Sequence, residues 1–325
     1  MSTLVRAIAP SNIALVKYWG KRHTALNLPL TSSFSVTLSE MISVATVQES
    51  TDGQDHWDIQ GKPDKAQRLL QHAREATGDT RPLTISIQNQ FPSGAGLASS
   101  ASSMAALGRA LGAFLGKGDI SVDTIADWTR RGSGSSVRSL FPGYVHWEAG
   151  SSEDGSDCIA RTRFPASALP LALTVCVVND QPKPIGSTAA MEKCRDHSPS
   201  YQAFHDRNPA DLEAAIAAVE AGDVQKLGEI SENNCLAMHD VIREAGIDYF
   251  LEGTHAAIAH VRALREQGVP CFFTIDAGPN VKILSPPEYQ AQIEESCKDL
   301  PGVLFTLRDA VAETLVPVEH LDVNP

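Results

Sequence analysis

The sequence predicts an α+β protein built as two domains, and three observations support this fold class. The chain of 325 residues is long enough for two domains or one large one. Its hydrophobic content of 42% and charged content of 20% are typical of a globular protein. Strand patterns dominate the first half and helix patterns the second, and the composition changes around 179–184. We therefore place the first domain at 1–180 and the second at 181–325.

Composition also excludes several classes of protein. A formal net charge of −12 argues against general nucleic-acid binding. No segment approaches the roughly 20 apolar residues that a membrane helix needs, and the N-terminal residues lack the pattern of a signal peptide. The six cysteines are scattered without a C-x-x-C pair, which argues against a disulfide framework or a zinc site. These features predict a cytoplasmic location without membrane or nucleic-acid partners.

In the first half, strands and helices follow from local periodicity. The segment 83–87 alternates strictly between apolar and polar residues, as a half-buried strand does. Helix formers fill 101–115, and Met104, Leu107 and Leu111 fall on one face of that helix. The same criteria predict strands at 3–9, 34–38, 42–47, 57–59, 143–147, 158–162 and 171–178, and helices at 64–76 and 121–131. We expect the strand at 171–178 to close the first half.

The second half is predicted to be mostly helical. Helices are expected at 209–221, 224–238 and 255–267, and Gly222 and Gly268 end the first and third of them. A buried type of strand follows at 271–275, and a second one at 281–284.

A glycine-rich loop at 91–101 precedes the helix at 101–115. Gly94 and Gly96 allow a tight turn and a close approach to a bound group, and Ser99 and Ser100 are good N-cap residues. A helix N-terminus favours a phosphate, yet the loop matches neither a Walker A loop nor the dinucleotide fingerprint. Taken alone, it fits phosphate binding and an ordinary helix-capping turn equally well.

Two further segments carry positive charge. Lys17, Lys21 and Arg22 lie within six residues, beside Tyr18 and Trp19. Such a run is usually a solvated surface turn, but partial burial around Trp19 would leave the ammonium groups in need of an anion, which favours a ligand site.

The second such segment is the loop at 131–139. Small hydroxyl residues surround Arg138, which can bind a carboxylate or phosphate through two parallel hydrogen bonds. The alternative for this loop is a flexible linker, although the flanking apolar residues suggest that it is anchored at both ends.

Asp276 follows the apolar strand at 271–275 and precedes a Gly-Pro turn. An aspartate here can simply initiate the turn. It also fits a catalytic carboxylate held at the end of a rigid strand.

Together, four motifs resemble those of the diphosphomevalonate decarboxylase family of the GHMP kinase superfamily. The resemblance covers essentially the whole chain, in the family's order and spacing. The matching motifs are Asn12-Ile13-Ala14 with Lys17-Tyr18-Trp19-Gly20-Lys21-Arg22, Phe91-Pro92 with Gly96-Leu97-Ala98-Ser99-Ser100, the loop 132–139, and Asp276-Ala277-Gly278-Pro279-Asn280.

The resemblance implies a GHMP kinase-like fold, with an N-terminal domain like domain 2 of ribosomal protein S5 and a ferredoxin-like C-terminal domain. The active site is expected in the cleft between the two domains. The implied reaction is ATP-dependent decarboxylation of mevalonate 5-diphosphate to isopentenyl diphosphate, with ATP and Mg²⁺ required. A homodimer is the habit of the family.

The resemblance also implies roles for individual residues. Asp276 would act on the substrate hydroxyl, Lys17 would orient it, Arg138 would bind the substrate carboxylate, and Ser100 would lie near the phosphates and Mg²⁺. The expected nucleotide-binding residues are Pro92, Ser93, Gly94, Ala95, Gly96, Leu97, Ala98, Ser99 and Ser100. The expected substrate-binding residues are Asn12, Tyr18, Trp19, Gly20, Lys21, Lys65, Ser133, Gly134, Ser135, Ser136, Val137, Arg138 and Thr188.

Some positions depart from the family pattern. Ser136-Val137 stands where Ala-Cys is common, Ser93-Gly94-Ala95 replaces the commoner Thr-Ala-Ala, and Lys65 stands where some relatives have an arginine for the diphosphate. A phosphomevalonate decarboxylase or a mevalonate 3-kinase on the same scaffold therefore remains an alternative. A catalytically inactive, ligand-sensing relative is a further one, but it would be expected to lose a charged catalytic residue.

Overall fold

The computed structural model describes residues 2–59, 63–91, 99–116 and 120–323. Within these residues the chain forms a seven-stranded sheet, a four-stranded sheet and a two-stranded hairpin, with α-helices packed around them. No helix in this part of the chain combines the length and apolar character needed to cross a bilayer. Residues 92–98 of the predicted glycine-rich loop at 91–101 lie outside the described residues.

The first part of the chain alternates strands with three α-helices. The strands are β1 (Ser2–Val16), β2 (Lys21–His23), β3 (Leu28–Pro29), β4 (Ser33–Glu49), β5 (His56–Ile59), β6 (Leu83–Asn89), β7 (Tyr144–Trp147) and β8 (Ala160–Phe164). The helices are α1 (Asp64–Thr77), α2 (Ser99–Gly116) and α3 (Val122–Gly132), and a 3-10 segment (Gly134–Leu140) follows α3.

In the second part, helices outnumber strands until the C-terminal region. The elements are β9 (Ala172–Val177), α4 (Ser187–His197), α5 (Tyr201–Glu220), α6 (Val224–Glu244), α7 (Glu252–Glu266), β10 (Phe272–Ile275), β11 (Val281–Ser285), α8 (Gln290–Cys297), β12 (Phe305–Ala310) and β13 (Glu319–Val323).

The seven-stranded sheet has the order β13-β1-β4-β6-β5, and β7 extends it from β4 to β8. All its pairs are antiparallel except β5 with β6. Helices α1, α2 and α3 share one apolar core with this sheet. Small residues let the helices approach closely: a Cβ added at Gly108 of α2 would lie 2.1 Å from Cγ2 of Thr129 in α3.

The four-stranded sheet is antiparallel, with the order β10-β11-β9-β12. The expectation that the strand at 171–178 closes the first half is therefore wrong, because β9 pairs with β11 and β12. Every residue of β9 is buried, and a continuous apolar run does not indicate which sheet a strand joins. Strand β13 returns to the first sheet and pairs with β1. We propose that the second unit begins at β9, ahead of the predicted boundary at residue 180.

One apolar cluster joins the two sheets. It contains Leu15 of β1, Phe34 of β4, Val175 of β9, Val219 of α5 and Leu284 of β11, all almost completely buried. The other ends of β1 and β4 pack instead into the core with α1, α2 and α3. Strands β1 and β4 therefore contribute to the apolar cores of both units, and the residues that follow β1 lie where the units meet.

One predicted helix starts earlier than expected, and several elements were not anticipated. Helix α5 begins at Tyr201 and continues through Pro209, where the sequence predicts a helix start. Helices α4 and α8 are not anticipated, since their apolar periodicity is weak. Strand β13 owes its place to pairing with the opposite end of the chain, which no local pattern reveals.

Candidate active site

A cavity of about 610 Å³ is lined by residues from both parts of the chain. The contributions come from β1 and the segment after it, from α1, from the start of α2, from the 3-10 segment, from the region around α4, and from the turn after β10. Sites predicted from separate motifs thus lie around one cavity. The predicted residues in its wall are Asn12, Lys17, Tyr18, Trp19, Lys21, Lys65, Ser99, Ser100, Ser133, Gly134, Ser135, Arg138, Thr188 and Asp276.

Asp276 is held at the end of β10 by a tight turn. The backbone N–H of Gly278 donates to the carbonyl oxygen of Asp276 over 2.7 Å. Asn280 fastens the turn to the segment after β9, since its Oδ1 accepts from the N–H groups of Val178 and Asn179 at 2.7 and 3.0 Å. A carboxylate on such a support has a fixed position, as catalytic groups require.

Two buried lysines flank the carboxylate of Asp276. Nζ of Lys17 lies 2.8 Å from Oδ1, and Nζ of Lys282 lies 3.6 Å from Oδ2. Burial by itself raises the pKa of Asp276, but the charges of Lys17, Lys282 and Arg138, together with the hydrogen bond from Lys17, lower this pKa to about 2. Asp276 is therefore ionised at neutral pH.

Lys17 is fixed by its surroundings. Its Nζ also donates to the carbonyl oxygen of Ala14 at 2.6 Å, and its backbone N–H donates to Oδ1 of Asn234 at 2.8 Å. The lysine is only 1% exposed, yet it lines the cavity. Its ammonium group can thus act on both Asp276 and a bound anion.

Arg138 lies in the cavity wall with a fixed orientation. Its Nε donates to Oδ1 of Asn12 at 3.0 Å, and its Nη1 donates to Oγ of Ser33 at 2.8 Å. Asn12 in turn donates to Oγ of Ser139 at 2.7 Å, and the guanidinium lies 5.7 Å from the centre of a ring of Trp147. Burial lowers the pKa of Arg138 to about 10, so the group stays charged at neutral pH. A fixed, desolvated guanidinium suits a substrate carboxylate.

The serine-rich loop forms the 3-10 segment rather than a flexible linker. Ser133, Gly134 and Ser135 line the cavity, but Ser136 and Val137 do not. Oγ of Ser136 donates to the carbonyl oxygen of Ser133 at 2.6 Å, and Val137 is packed in the first core. We therefore assign Ser136 and Val137 a structural role in place of the predicted substrate contact.

Aromatic residues after β1 close one side of the cavity. The hydroxyl of Tyr18 is buried beside Gly134, where an added Cβ would lie 2.7 Å from it. Nε1 of Trp19 donates to Sγ of Cys194 at 3.4 Å, which ties this segment to α4. Gly20 does not line the cavity: its φ is +146°, and an added Cβ would lie 2.6 Å from the hydroxyl of Tyr201. Gly20 is thus required for packing against α5.

Cations gather on the wall formed by α1 and the segment after Trp19. Nζ of Lys21 donates to Oγ1 of Thr188 at 2.9 Å. The pKa of Lys21 is lowered to about 8, mainly by burial; the charges of Lys65 and Arg68 also lower it, and the charge of Glu192 raises it. Mutual repulsion of this kind is relieved by a polyanionic ligand.

Helix α2 begins at the same cavity. Ser99 and Ser100 line its wall, and Oγ of Ser100 accepts a hydrogen bond from Nζ of Lys65 at 2.8 Å. Unpaired N–H groups at the start of a long helix favour phosphate. The remaining predicted nucleotide contacts, at 92–98, lie outside the described residues.

Comparison with known proteins agrees with this geometry. The description "Diphosphomevalonate decarboxylase-like N-terminal domain" matches residues 9–160, and "Mevalonate 5-diphosphate decarboxylase C-terminal domain" matches residues 173–313. A diphosphomevalonate decarboxylase of Ganoderma lucidum is 36% identical over 89% of this chain and 80% of its own length.

The chain belongs to the diphosphomevalonate decarboxylase family. Solved structures of the family confirm the two-domain GHMP kinase fold. Mevalonate diphosphate decarboxylase from Staphylococcus aureus superposes with a TM-score of 0.89 at 32% identity, covering 99% of both chains. A structure of MDDEF in complex with MVAPP, AMPPCP and magnesium superposes with a TM-score of 0.88 at 32% identity, covering 99% of this chain and 100% of that one.

Three cationic residues of this family member were not among the predicted site residues. Arg68 lines the cavity one turn after Lys65 on α1. Lys183, also in the wall, donates to the carbonyl oxygen of Ala277 at 2.6 Å, and burial lowers its pKa to about 8. Lys282 lies behind Asp276 on β11. The sequence could have singled out Lys282, since a lone charged residue inside an apolar strand is unusual. Lys183 lies in a polar segment, where a charged residue is not distinctive.

Proposed function

We propose that this chain catalyses the ATP-dependent decarboxylation of mevalonate 5-diphosphate to isopentenyl diphosphate, with release of ADP, phosphate and carbon dioxide. The observation that carries the proposal is the arrangement of Asp276, Lys17 and Arg138 in one cavity. A carboxylate, an ammonium and a guanidinium with fixed positions match the hydroxyl, the transferred phosphoryl group and the carboxylate of this substrate.

The first step is phosphoryl transfer to the tertiary hydroxyl. The hydroxyl oxygen bonds to the γ-phosphorus, the bond from that phosphorus to the bridging oxygen of ADP breaks, and the hydroxyl proton passes to Asp276. With a pKa of about 2, Asp276 is a weak base, so we assign it first to orienting the hydroxyl and to accepting the proton late. Lys17 neutralises charge on the transferring group.

The second step is fragmentation. The bond from the tertiary carbon to oxygen breaks, and phosphate leaves with the electron pair. The bond to the carboxylate carbon then breaks, its electrons form the carbon–carbon double bond, and carbon dioxide leaves. Arg138, held by Asn12 and Ser33, keeps the carboxylate aligned for this cleavage.

The residues present fit ATP and Mg²⁺. Among the described residues, no three His, Cys, Asp or Glu side chains form a metal cluster, but Mg²⁺ needs few protein ligands when phosphates and water supply the rest. The hydroxyl of Ser100 would supply one oxygen once Lys65, which now donates to it, releases it. When bound, Mg²⁺ neutralises phosphate charge.

Two substrate alternatives share this scaffold. A phosphomevalonate decarboxylase would need fewer cations than the Lys21, Lys65 and Arg68 group provides, and that group favours the diphosphate. A 3-kinase would have no need for the carboxylate to be held by Arg138. An inactive relative is disfavoured because Asp276, Lys17 and Arg138 are all present and arranged together. We further propose that the enzyme is homodimeric, as the family habit implies, and cytoplasmic, as its scattered cysteines predict.

The test is an assay of purified protein with ATP, Mg²⁺ and either mevalonate 5-phosphate or mevalonate 5-diphosphate. We expect carbon dioxide and ADP from the diphosphate, with a much lower kcat/KM for the monophosphate. ADP without carbon dioxide would show a kinase instead. A preference for the monophosphate would reassign the substrate, and no product from either substrate would favour the inactive relative.

A further inference from the structure

Lys282 is a buried charge that the proposed chemistry does not yet use. It lies on β11 and is 0% exposed. Lys282 pairs with Val175 of β9 on one side and with Thr274 of β10 on the other, and Leu284 lies two residues further along the strand. Burial lowers the pKa of Lys282, and the charge of Asp276 opposes this effect. A lysine in such a place is costly unless its charge has a partner.

The partner of Lys282 is Asp276. Lys282 lies beside one carboxylate oxygen of Asp276, and Lys17 lies beside the other. Lys17 contacts Oδ1 at 2.8 Å, and Lys282 lies 3.6 Å from Oδ2. Lys282 also donates to the carbonyl oxygen of Asn280 at 3.2 Å, within the turn that supports Asp276. Unlike Lys17, it is not part of the cavity wall, so it is not placed to touch the substrate.

We propose that Lys282 is a positioning residue, the rear cation that keeps Asp276 ionised and correctly oriented while Lys17 acts on the transferring phosphoryl group. The inference rests on the proposed function and deepens it. A single lysine would have to neutralise both the carboxylate of Asp276 and the transferring phosphoryl group. Its interaction with either anion weakens its interaction with the other. With two lysines, the carboxylate keeps one counter-charge throughout the step.

Other groups around Asp276 do not replace Lys282. The charged or titratable groups that face Asp276 are Lys17 after β1, Arg138 in the 3-10 segment, Lys183 before α4, and Cys235 and His239 on α6. His239 is neutral, since burial lowers its pKa to about 3, and burial raises the pKa of Cys235 to about 11, so its thiol is neutral too. The other three cations line the cavity, where bound anions compete for their charge.

The test begins with the free protein, so that it does not depend on the reaction. Aspartate labelled with ¹³C at the carboxyl carbon is incorporated, and the Asp276 signal is assigned by its loss in Asp276→Asn. In Lys282→Met, which keeps the length of the side chain, we expect the pKa of Asp276 to rise by about 1 pH unit or more. Leu284→Met, on the same face of β11, is the matched control and is expected to leave the titration unchanged.

The second readout is the pH profile of kcat with mevalonate 5-diphosphate and ATP. In Lys282→Met we expect the acidic limb to move to higher pH. At neutral pH, where Asp276 remains ionised, we expect turnover to fall by about tenfold or more because the carboxylate is less well oriented. Turnover loss with an unchanged Asp276 titration and an unchanged acidic limb would overturn the proposal and leave Lys282 a packing residue. So would a wild-type Asp276 that titrates near the ordinary value of about 3.9, a result that needs no folded variant.

Failure of the proposed function gives a different result. If wild-type protein releases no carbon dioxide but the Asp276 titration responds to Lys282→Met, the electrostatic link is upheld and the reaction is wrong. If wild-type protein is active and the titration does not respond, the role of Lys282 is wrong. Lys282→Gln, which can still donate to Asn280, serves as the second variant if Lys282→Met does not fold.

Discussion

The carboxylate of Asp276 lies between two positively charged lysines, Lys17 and Lys282, which limits what it can do in the reaction. Its low pKa, set by Lys17 and Lys282 against the effect of burial, makes it a poor base and a good acceptor of a hydrogen bond from the substrate hydroxyl. Arg138 differs, because its guanidinium is fixed by Asn12 and Ser33. At the scale of single residues, the site therefore depends on prearranged charges more than on matched proton affinities.

Substitutions at Arg138 separate the contribution of its side-chain geometry from the contribution of its positive charge. Lys cannot reproduce the planar fork of Arg, so Arg138→Lys is expected to lower kcat more than it raises KM, while Arg138→Ala impairs both. Turnover, substrate KM and the melting temperature of the free protein are measured for each variant. A purely structural arginine would instead lower the melting temperature in both variants, with turnover following stability; unchanged turnover in Arg138→Ala would remove it from the mechanism.

Lys21 gives a pH dependence whose sign follows from its pKa of about 8. Below that pH the ammonium is charged and binds the diphosphate; as the pH rises through about 8, the charge is lost. We expect KM for mevalonate 5-diphosphate to rise above pH 8, by at most about tenfold per pH unit for one proton. Lys21→Met should have a higher KM at pH 7 and a flatter profile, whereas Lys226→Met, on the exposed surface of α6, should match wild type. A flat wild-type profile would contradict the assignment.

At the scale of elements, helix α1 presents Lys65 and Arg68 to the cavity from positions three apart, which share one helix face. In the proposed function, the segments after β1 and β10 supply the reactive charges, and α1 supplies charges for substrate recognition. The helix lies beside the start of α2, so both phosphate-bearing substrates meet the same cationic wall. We therefore propose that this wall determines the choice between mono- and diphosphate substrates.

Arg68→Met tests that division of roles. Loss of a hydrogen bond to a charged group costs about 1.5–3 kcal/mol, so we expect KM for the diphosphate to rise by about tenfold to a hundredfold. The KM for mevalonate 5-phosphate should change little, since it lacks the outer phosphate. An equal rise in KM for both substrates would indicate that Arg68 does not bind the second phosphate.

The sequence predicts which charged residues line the cavity better than it predicts the contacts that support them. Asp276, Lys17 and Arg138 stand in short motifs whose local pattern survives without knowledge of the fold. Lys282 and Asn280 act through contacts between strands, and Lys183 meets Ala277 across 94 positions of sequence. Such contacts depend on sheet order, and the sequence assigned β9 to the wrong half. A motif does not show which of its side chains face the core, so it did not reveal that Ser136 and Val137 lie outside the cavity wall.

At the scale of the whole molecule, one apolar cluster makes the two sheets a common structure. Leu15 and Phe34 of the first sheet pack with Val175 and Leu284 of the second. Lys17 directly follows β1, and Asp276 directly follows β10, so the 2.8 Å contact between them depends on this shared core. Active-site geometry and global stability are therefore coupled.

Phe34→Ala tests the coupling. Removing a fully buried phenylalanine costs about 3–5 kcal/mol in free energy of unfolding, and we expect urea transitions followed by tryptophan fluorescence and far-UV circular dichroism to shift together. Val122→Ala, at a position that is 41% exposed on α3, is the control and should shift neither probe appreciably. Two separate transitions in Phe34→Ala would show that the units fold independently.

The central claim is that one site couples phosphoryl transfer to loss of carbon dioxide under the control of Asp276. The most direct measurement is the ratio of carbon dioxide to ADP formed from mevalonate 5-diphosphate, in wild type and in Asp276→Asn. We predict a ratio of one in wild type. In Asp276→Asn we predict that both products fall together, by about 10²–10⁴, with ATP affinity near that of wild type. ADP without carbon dioxide in wild type, or near-normal turnover in Asp276→Asn, would contradict the claim.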